Sequence, residues 1–263
     1  MTALRAEKIT AGYSRVPIIR DISVTVEDGA LVAIVGPNGA GKSTFAKALC
    51  GVIRPSAGRI FVGDDEITSL PGHLIVRRGL AYVPQNQNVF GSLTVTENLE
   101  MGAFTRSSGV RQRIDEVLDI FPDLRKATGK RAGVLSGGQQ NMLAMARALM
   151  LDPRVVVLDE PTAGLSPAYT CVVWEQITRI TRTGTAALVV EQNVDRALGN
   201  ASFVYVLVAG ANHVAGPAQE VAALDLAAIF LGHEVTAPRQ PAAPRREARE
   251  PGTHGPGTRR SRA

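Results

Sequence analysis

Apolar residues in this chain follow two spacings, one typical of buried strands and one typical of helices. Four short and almost continuous apolar runs are typical of strands that are covered on both faces. They are Leu31–Val35, Leu80–Val83, Val155–Leu158 and Ala187–Val190. Strands of this kind occur in parallel sheets, so the pattern predicts a parallel central sheet.

Two other regions have different patterns. Residues 4–35 contain short strand-like runs separated by turn residues, and residues 58–67 resemble another hairpin. Between about residues 86 and 150 the apolar positions recur at helix spacing. The positions that define this spacing are Ile114, Val117, Leu118, Phe121, Met142, Met145, Ala146 and Leu149. We therefore expect antiparallel strands early in the chain and a helical segment in its middle.

The net charge of +5 comes from the last part of the chain. Residues 237–263 contain seven arginines, two glutamates, five prolines and three glycines, so the rest of the chain is neutral. This composition predicts a disordered Pro/Arg-rich tail. A neutral body gives no reason to expect a nucleic-acid partner.

The sequence contains no clear targeting segment and no cysteine motif. The first ten residues lack the apolar core of a signal peptide. The longest apolar stretch, at about residues 203–211, is too short to span a bilayer. Cys50 and Cys171 lie in no metal-ligand pattern, and we expect two buried or half-buried thiols.

A glycine-rich turn follows the first buried run and fits the pattern G-x-x-x-x-G-K-[ST]. Its backbone N–H groups and the positive end of the next helix are suited to cradle phosphate oxygens. Lys42 would reach the β- and γ-phosphates, and the Ser43 hydroxyl would ligate Mg²⁺. The predicted nucleotide-binding residues of this turn are Gly36, Pro37, Asn38, Gly39, Ala40, Gly41, Lys42, Ser43 and Thr44.

A second buried run ends in two carboxylates. Asp159 would lie at the carboxyl edge of the sheet, where it could hold Mg²⁺ through water. Glu160 follows it and could orient or deprotonate an attacking water.

The segment Leu135–Gln139 reads L-S-G-G-Q and precedes a predicted amphipathic helix. Ser136 is a suitable N-cap for that helix. We expect Gly137 and Gly138 to keep the helix N-terminus open for an anion. The predicted binding residues here are Ser136, Gly137, Gly138 and Gln139.

Together these segments resemble the ATP-binding cassette (ABC) transporter ATPases over about residues 3–234. Gly36–Thr44 resembles the Walker A motif, Leu135–Gln139 the signature motif, Val155–Asp159 the Walker B motif, and Glu160 the catalytic glutamate. The resemblance implies ATP and Mg²⁺ as cofactors. It also implies an α/β fold with a P-loop ATPase core, a small antiparallel β-subdomain and a helical signature subdomain at about 86–150. The ATPase domain would span residues 1–236.

Three more positions take their roles from this resemblance. Tyr13 matches the aromatic residue that stacks on adenine, although it could be a half-exposed hairpin tyrosine. Gln85 matches the Q-loop glutamine that contacts Mg²⁺ and senses the membrane partner. Gln192 aligns with the switch histidine. The implied catalytic residues are therefore Lys42, Gln85, Glu160 and Gln192, and the implied metal-site residues are Ser43, Gln85 and Asp159.

A narrower similarity to importer ATPases for branched-chain amino acids covers four segments. These are Tyr82–Phe104, Glu160–Pro167, Val190–Asn193 and Ala228–Gly232. Urea and short-chain amide importers of the same group look nearly the same. Two departures from the general ABC pattern, Ser166 in place of the D-loop aspartate and Gln192, are shared by this group.

The resemblance implies a subunit that works with others. The partners would be a second ABC ATPase subunit in a homo- or heterodimer, integral membrane permease subunits and, indirectly, a solute-binding protein. The location would be the cytoplasmic face of the cell membrane, as a peripheral protein. The alternative is an ABC-type regulatory or scaffold module that transports nothing, and an apolar docking groove around Val89, Phe90 and Leu93 would favour the transporter.

Overall fold

A computed structural model describes residues 1–230 except positions 15, 87 and 88. The strands are β1 (Thr2–Ala11), β2 (Ile19–Glu27), β3 (Leu31–Val35), β4 (Ala57–Val62), β5 (Asp65–Glu66), β6 (Leu80–Val83), β7 (Val155–Asp159), β8 (Ala186–Glu191), β9 (Phe203–Val208) and β10 (Ala211–Pro217). The helices are α1 (Lys42–Leu49), α2 (Gly72–Arg77), α3 (Val95–Gly102), α4 (Val110–Ile120), α5 (Pro122–Arg125), α6 (Gly137–Leu149), α7 (Pro167–Arg182), α8 (Val194–Asn200), α9 (Ala218–Ala222) and α10 (Leu226–Phe230).

The central sheet has six strands in the order β10-β9-β3-β8-β7-β6. All neighbouring pairs are parallel except β9 and β10, which form an antiparallel hairpin at one edge. Every residue of β3, β7 and β8 is buried. The predicted parallel central sheet is confirmed. The apolar stretch near residues 203–211 is β9 and the turn into β10.

The carboxyl ends of three central strands lie side by side. Val35 at the end of β3 pairs with Glu191 at the end of β8, and Asp159 at the end of β7 pairs with Val190. The loops that follow these strands therefore start from neighbouring points on one edge of the sheet. In open parallel sheets this edge is where ligands bind.

A smaller antiparallel sheet has the order β2-β1-β4-β5. Its strands β1 and β2 contain ten and nine residues, longer than the short runs expected from the sequence. In β2 buried and exposed residues alternate over most of its length, which is typical of a sheet with one solvated face. Its buried face shares an apolar core with α1 and with one face of the central sheet.

A helical segment covers the other face of the central sheet. The helices α3 to α6 fall within the predicted range, and their apolar residues join α7 in a second core that contains Phe121 and Trp174. None of the helices within the described part of the chain is long and apolar enough to cross a bilayer. The division of the chain into a domain of 1–236 and a tail of 237–263 stays a prediction, because its boundary lies outside the described residues.

One of the two cysteine predictions is wrong. Cys50 is buried at the end of α1, and burial raises the pKa of its thiol. Cys171 is exposed on α7, because its position in the helix faces away from the core side that Val173 and Trp174 occupy.

A buried asparagine holds the loop that leads from β6 into α3. Asn98 is fully buried in α3, and its Oδ1 accepts from the Phe90 backbone N–H at 2.8 Å. Its Nδ2 donates to the carbonyl oxygens of Phe90 at 3.0 Å and of Thr94 at 2.9 Å. The side chain thus satisfies backbone groups of a loop that has no regular partner strand.

We expect Asn98→Ala to lower the free energy of unfolding by about 2–3 kcal/mol, because it removes the side-chain hydrogen bonds that fix the loop, leaves the Phe90 N–H without this acceptor and empties part of a fully buried position. Urea denaturation followed by circular dichroism measures this change. Asn200→Ala is the matched control, since Asn200 is exposed and donates only to the Arg196 carbonyl within α8. Equal losses in the two variants would contradict the role given to Asn98.

Candidate functional site

The phosphate loop leaves β3 and enters α1 through a turn that requires glycine. Gly41 precedes α1 with φ at +93°, and a Cβ there would lie 2.4 Å from an Ile19 side-chain carbon. A residue with a side chain would be strained and would clash. The first turn of α1 starts at Lys42, so the N-terminal N–H groups of this helix face the loop.

Lys42 is buried at the start of α1, and its charge is held by backbone carbonyls. Its Nζ donates to Gly36 O at 2.8 Å and to Pro37 O at 3.1 Å. Burial lowers the pKa of Lys42, while the nearby Glu160 and Asp159 carboxylates raise it. A buried ammonium beside a ring of N–H groups is a suitable place for an anion.

Asp159 and Ser43 meet at the neighbouring strand end. The Ser43 hydroxyl donates to Asp159 Oδ1 at 2.9 Å, and the Tyr82 hydroxyl donates to Asp159 Oδ2 at 3.1 Å. Burial raises the pKa of Asp159, and these two hydrogen bonds oppose the rise. A hydroxyl and a carboxylate in contact are the hard oxygen ligands that Mg²⁺ prefers, so the residues fit the predicted metal.

Glu160 is held by two glutamines. Gln85 Nε2 donates to Glu160 Oε2 at 2.8 Å, and Gln192 Nε2 donates to Glu160 Oε1 at 2.7 Å. We call Gln85, Glu160 and Gln192 the amide clamp. The backbone of Glu160 has φ at +48°, which is uncommon for a residue other than glycine and often marks a functional position. The three residues line a cavity of about 470 Å³.

The structure therefore brings together most of the predicted catalytic and metal-site residues. Lys42 and Ser43, Gln85, and Glu160 come from three separate parts of the sequence and lie at one edge of the sheet. Gln192 joins them through Glu160. Their roles in catalysis and metal binding stay predictions.

The segment Leu135–Gln139 starts α6 as predicted. Ser136 Oγ accepts from the Gln139 backbone N–H at 3.3 Å, and Gln139 Oε1 accepts from the Ser136 N–H at 3.1 Å, which is a capping box. The expected role of the two glycines in anion binding stays a prediction, and the two positions differ in packing. Gly138 is buried against the Tyr169 ring, where an added Cβ would lie 2.2 Å from a ring carbon, whereas a Cβ added at Gly137 would lie 4.0 Å from a Leu165 carbon.

Ser136 lies apart from the phosphate loop in this chain. Among the hydrogen bonds of the described residues, none joins Leu135–Gln139 to Gly36–Thr44. The segment is linked instead to the loop after β7, because Asn141 Nδ2 donates to the Pro161 carbonyl at 3.0 Å.

Tyr13 lies between β1 and β2 and is 63% exposed. Its hydroxyl accepts from Lys47 Nζ at 3.1 Å, and this ammonium lies 5.6 Å from the ring centre. The ring is open to solvent, as either a stacking platform or a hairpin tyrosine would be, so adenine stacking stays a prediction.

Sequence reasoning missed three residues that support the site. Tyr82 contacts Asp159, and Glu191 accepts from the Thr162 hydroxyl at 2.6 Å. Tyr82 and Glu191 each lie in a predicted strand run or beside a predicted site residue, which is the signal that could have indicated them. Thr162 lies two residues after Glu160, but nothing in the sequence indicates its bond to a residue 29 positions away in the chain.

Comparison with known proteins agrees with this geometry. The family model described as "ABC transporter" matches residues 19–163. The chain belongs to the ABC transporter family. It therefore has the ATP-binding cassette fold, binds ATP and hydrolyses it. The predicted fold class is confirmed.

Two relatives and one solved structure show the extent of the similarity. The probable branched-chain amino acid transport ATP-binding protein LivF of Archaeoglobus fulgidus is 43% identical over 220 residues, covering 83% of this chain and 93% of that protein. The high-affinity branched-chain amino acid transport ATP-binding protein BraG of Pseudomonas aeruginosa is 41% identical over 208 residues, covering 79% and 89%. A crystal structure of an ABC transporter cassette in its ADP conformation has a TM-score of 0.79 at 25% identity, covering 89% of this chain and 100% of that one.

We expect Gly138→Ala to lower the free energy of unfolding by about 1–3 kcal/mol, because the new methyl group forces the Tyr169 ring to move. Thermal unfolding measures the loss. Gly137→Ala is the matched control, because Gly137 directly precedes Gly138 in the same helix and its added methyl group would lie 4.0 Å from a Leu165 side-chain carbon, an ordinary contact distance. If the two variants unfold at the same temperature, the close packing of Gly138 on Tyr169 is contradicted.

Proposed function

We propose that this chain is the ATP-hydrolysing subunit of an ABC importer. It powers uptake of branched-chain amino acids, or of a related small polar solute, through a separate permease. The support for the solute class is the 41–43% identity to two proteins described as branched-chain amino acid transport ATP-binding proteins. Both descriptions favour the importer over the alternative of a regulatory or scaffold module.

The observation that carries the catalytic part is the convergence of Lys42, Ser43, Asp159 and Glu160 on one sheet edge. When ATP binds, Lys42 exchanges its two carbonyl partners for β- and γ-phosphate oxygens. Ser43, Asp159 and Gln85 would hold Mg²⁺, which offsets phosphate charge when bound. Glu160 accepts a hydrogen bond from the attacking water and orients it towards the γ-phosphate.

The two glutamines of the amide clamp have a second role in this proposal. Each amide donates to one oxygen of Glu160, so each must leave that oxygen before it can reach the γ-phosphate or the metal ion, while Glu160 still has lone pairs for a water. Gln192 can then donate to a γ-phosphate oxygen, as the switch histidine would, but it carries no titrating proton near neutral pH. Gln85 is in turn free to bind the metal ion.

A second ATPase subunit completes the nucleotide site. Ser136 and Gly137 are exposed at the start of α6 and have no hydrogen bond to the phosphate loop among the described residues. We infer that they, with Gly138 and Gln139 behind them, contact the γ-phosphate held by the phosphate loop of the other subunit. Tyr13 stacks on the adenine of its own subunit. The partner is a second copy or a related chain.

A membrane permease is the expected partner of an apolar groove. This groove has a volume of about 510 Å³, and the residues that define it are Val52, Phe90, Met101, Phe104 and Leu151. Phe104 is 60% exposed. The expected centre at Val89, Phe90 and Leu93 is only partly right, because Val89 packs against the core and Leu93 does not line the groove. Phe90 lies five residues after Gln85, so a permease segment in the groove would act on the amide clamp.

These contacts would place the chain at the cytoplasmic face of the cell membrane as a peripheral subunit. A solute-binding protein would deliver solute to the permease and would not contact this chain. The predicted tail, residues 237–263, lies outside the described residues and is not required by this model of transport.

We expect Lys42→Ala to abolish ATP turnover and to weaken nucleotide binding, because it removes the charge that faces the phosphates. Phosphate release and binding of a fluorescent ATP analogue measure the two effects.

We expect Glu160→Gln to lower ATP turnover by about 100-fold or more while it keeps nucleotide binding, because the amide cannot act as a base. Turnover near that of the unchanged protein in Lys42→Ala or in Glu160→Gln would contradict the catalytic roles proposed for these residues.

We expect Phe104→Ser and Met101→Ser to reduce ATP-driven solute uptake without changing the basal turnover of the isolated chain, because both side chains lie in the groove and outside the hydrolysis site. Uptake into vesicles that contain the permease subunits encoded by the neighbouring genes measures the effect. Val16→Ser, which removes an exposed apolar side chain outside the groove, is the control. Unchanged uptake in both groove variants would contradict docking at this surface.

A further inference from the structure

Glu191 is a buried carboxylate to which the proposed hydrolysis mechanism gives no role. It is the last residue of β8 and only 3% of it is exposed. Within the described residues no lysine, arginine or histidine forms an ion pair with it. A buried charge without a cation is costly unless several donors satisfy it.

The donors to Glu191 come from two different loops. Thr162, in the loop after β7, donates its hydroxyl to Oε1 at 2.6 Å. Gln192, in the loop after β8, donates its backbone N–H to Oε2 at 3.2 Å. Burial raises the pKa of Glu191, and these donors, with the backbone N–H groups of Thr162 and Asn193, oppose the rise. One side chain therefore holds together the loops that follow two adjacent strands.

These two loops carry the residues that control the proposed general base. Glu160 lies two residues before Thr162, and Gln192 follows Glu191 directly. The Gln192 side chain reaches back to Glu160 at 2.7 Å, while the Glu160 backbone N–H donates to Val190 O at 2.9 Å. Glu160, Thr162, Glu191 and Gln192 thus form a closed ring of chain connections and hydrogen bonds.

We propose that Glu191 is a positioning residue that fixes Gln192 relative to Glu160 by holding the loops after β7 and β8 together. The proposal rests on the proposed function, since it needs Glu160 to act on water. Glu191 does not contact ATP. It sets the position from which the Gln192 amide leaves Glu160 and reaches the γ-phosphate.

An ionised carboxylate suits this task better than an amide of the same shape. A carboxylate only accepts hydrogen bonds and has two oxygens for the donors around it. In Glu191→Gln one of these oxygens becomes an NH₂ group, which would face either the Gln192 N–H or the Thr162 hydroxyl; the first cannot accept from it, and the second must turn from donor to acceptor. In both cases the remaining hydrogen bonds are no longer made to a charged group, so the ring is weakened and the two loops can move apart.

The test compares single and double variants of the full-length chain. We expect Thr162→Val, which keeps the shape and removes the hydroxyl, to lower kcat for ATP by about 10-fold or more. Glu191→Gln should lower kcat by a similar factor. In both, KM and binding of a fluorescent ATP analogue should change by less than about 3-fold, because the phosphate loop is intact. Thr162→Ser keeps the hydroxyl and should keep kcat within about 2-fold.

The double variant Glu191→Gln/Thr162→Val decides whether the two residues act as a unit. We expect its kcat to match that of the more impaired single variant, because the second change removes a bond that is already lost. Thr185→Val is the matched control, because Thr185 lies just before β8 and is 8% exposed, against 9% for Thr162. Its kcat should not change.

Three results would overturn the proposal. They are a kcat within about 2-fold of the unchanged protein in Thr162→Val, effects that multiply in the double variant, and a loss in Thr162→Ser equal to that in Thr162→Val. If Glu191→Gln does not fold, the comparison of Thr162→Val with Thr162→Ser tests the proposal by itself. Glu160→Gln, assayed in parallel, distinguishes a failure of this proposal from a failure of the proposed function, since turnover in that variant would contradict the proposed function itself.

Discussion

The parallel pairing of β3, β8 and β7 is the constraint on which the site depends. Backbone hydrogen bonds fix the register of these strands, and so they fix where each strand ends. Val35, Glu191 and Asp159 end their strands next to one another, although they are far apart in the sequence. The phosphate loop, the acidic pair and the amide of Gln192 therefore start from fixed, adjacent points. Three completely buried strands supply the rigidity, because a shift by one residue would exchange the side chains that face the two cores and disrupt the packing of both.

This edge also concentrates buried charge, which the fold must compensate locally. Lys42 is satisfied by two carbonyls, Asp159 by two hydroxyls, Glu160 by two amides and Glu191 by one hydroxyl and backbone N–H groups. Each of these partners is neutral. A carboxylate held by neutral donors can exchange one of them for water or a metal ion without breaking an ion pair in a low-dielectric site, which would cost several kcal/mol. The arrangement therefore suits a site whose contacts must change during each turnover.

The central sheet and the main motifs could be predicted from the sequence, because both are local. The apolar runs that form β3, β6, β7 and β8 are contiguous, and the phosphate loop is a single segment. Contacts between distant segments could not be predicted in the same way. The bond between Thr162 and Glu191 and that between Tyr82 and Asp159 depend on how strands pair, and no spacing in the chain indicates them. The packing of Gly138 on Tyr169 was missed for the same reason, since it joins the start of α6 to the start of α7. The predicted position of the apolar groove was partly wrong because its apolar residues come from several elements.

The amide clamp connects Glu160 to two separate parts of the molecule. Gln85 belongs to the loop whose other end, Phe90, is fixed by Asn98 and lines the apolar groove. Gln192 belongs to the loop that Glu191 fixes to the segment after β7, and that segment leads into α7 and contacts α6 through Asn141. A partner in the groove would thus act on one oxygen of Glu160, and a partner at the start of α6 on the other. Each carboxylate oxygen can accept a second donor, so a water can join while the two amides set the direction of the carboxylate, and a shift of either amide would change that direction. In the proposed mechanism, one side chain held between two glutamines would let ATP turnover respond to two partner surfaces.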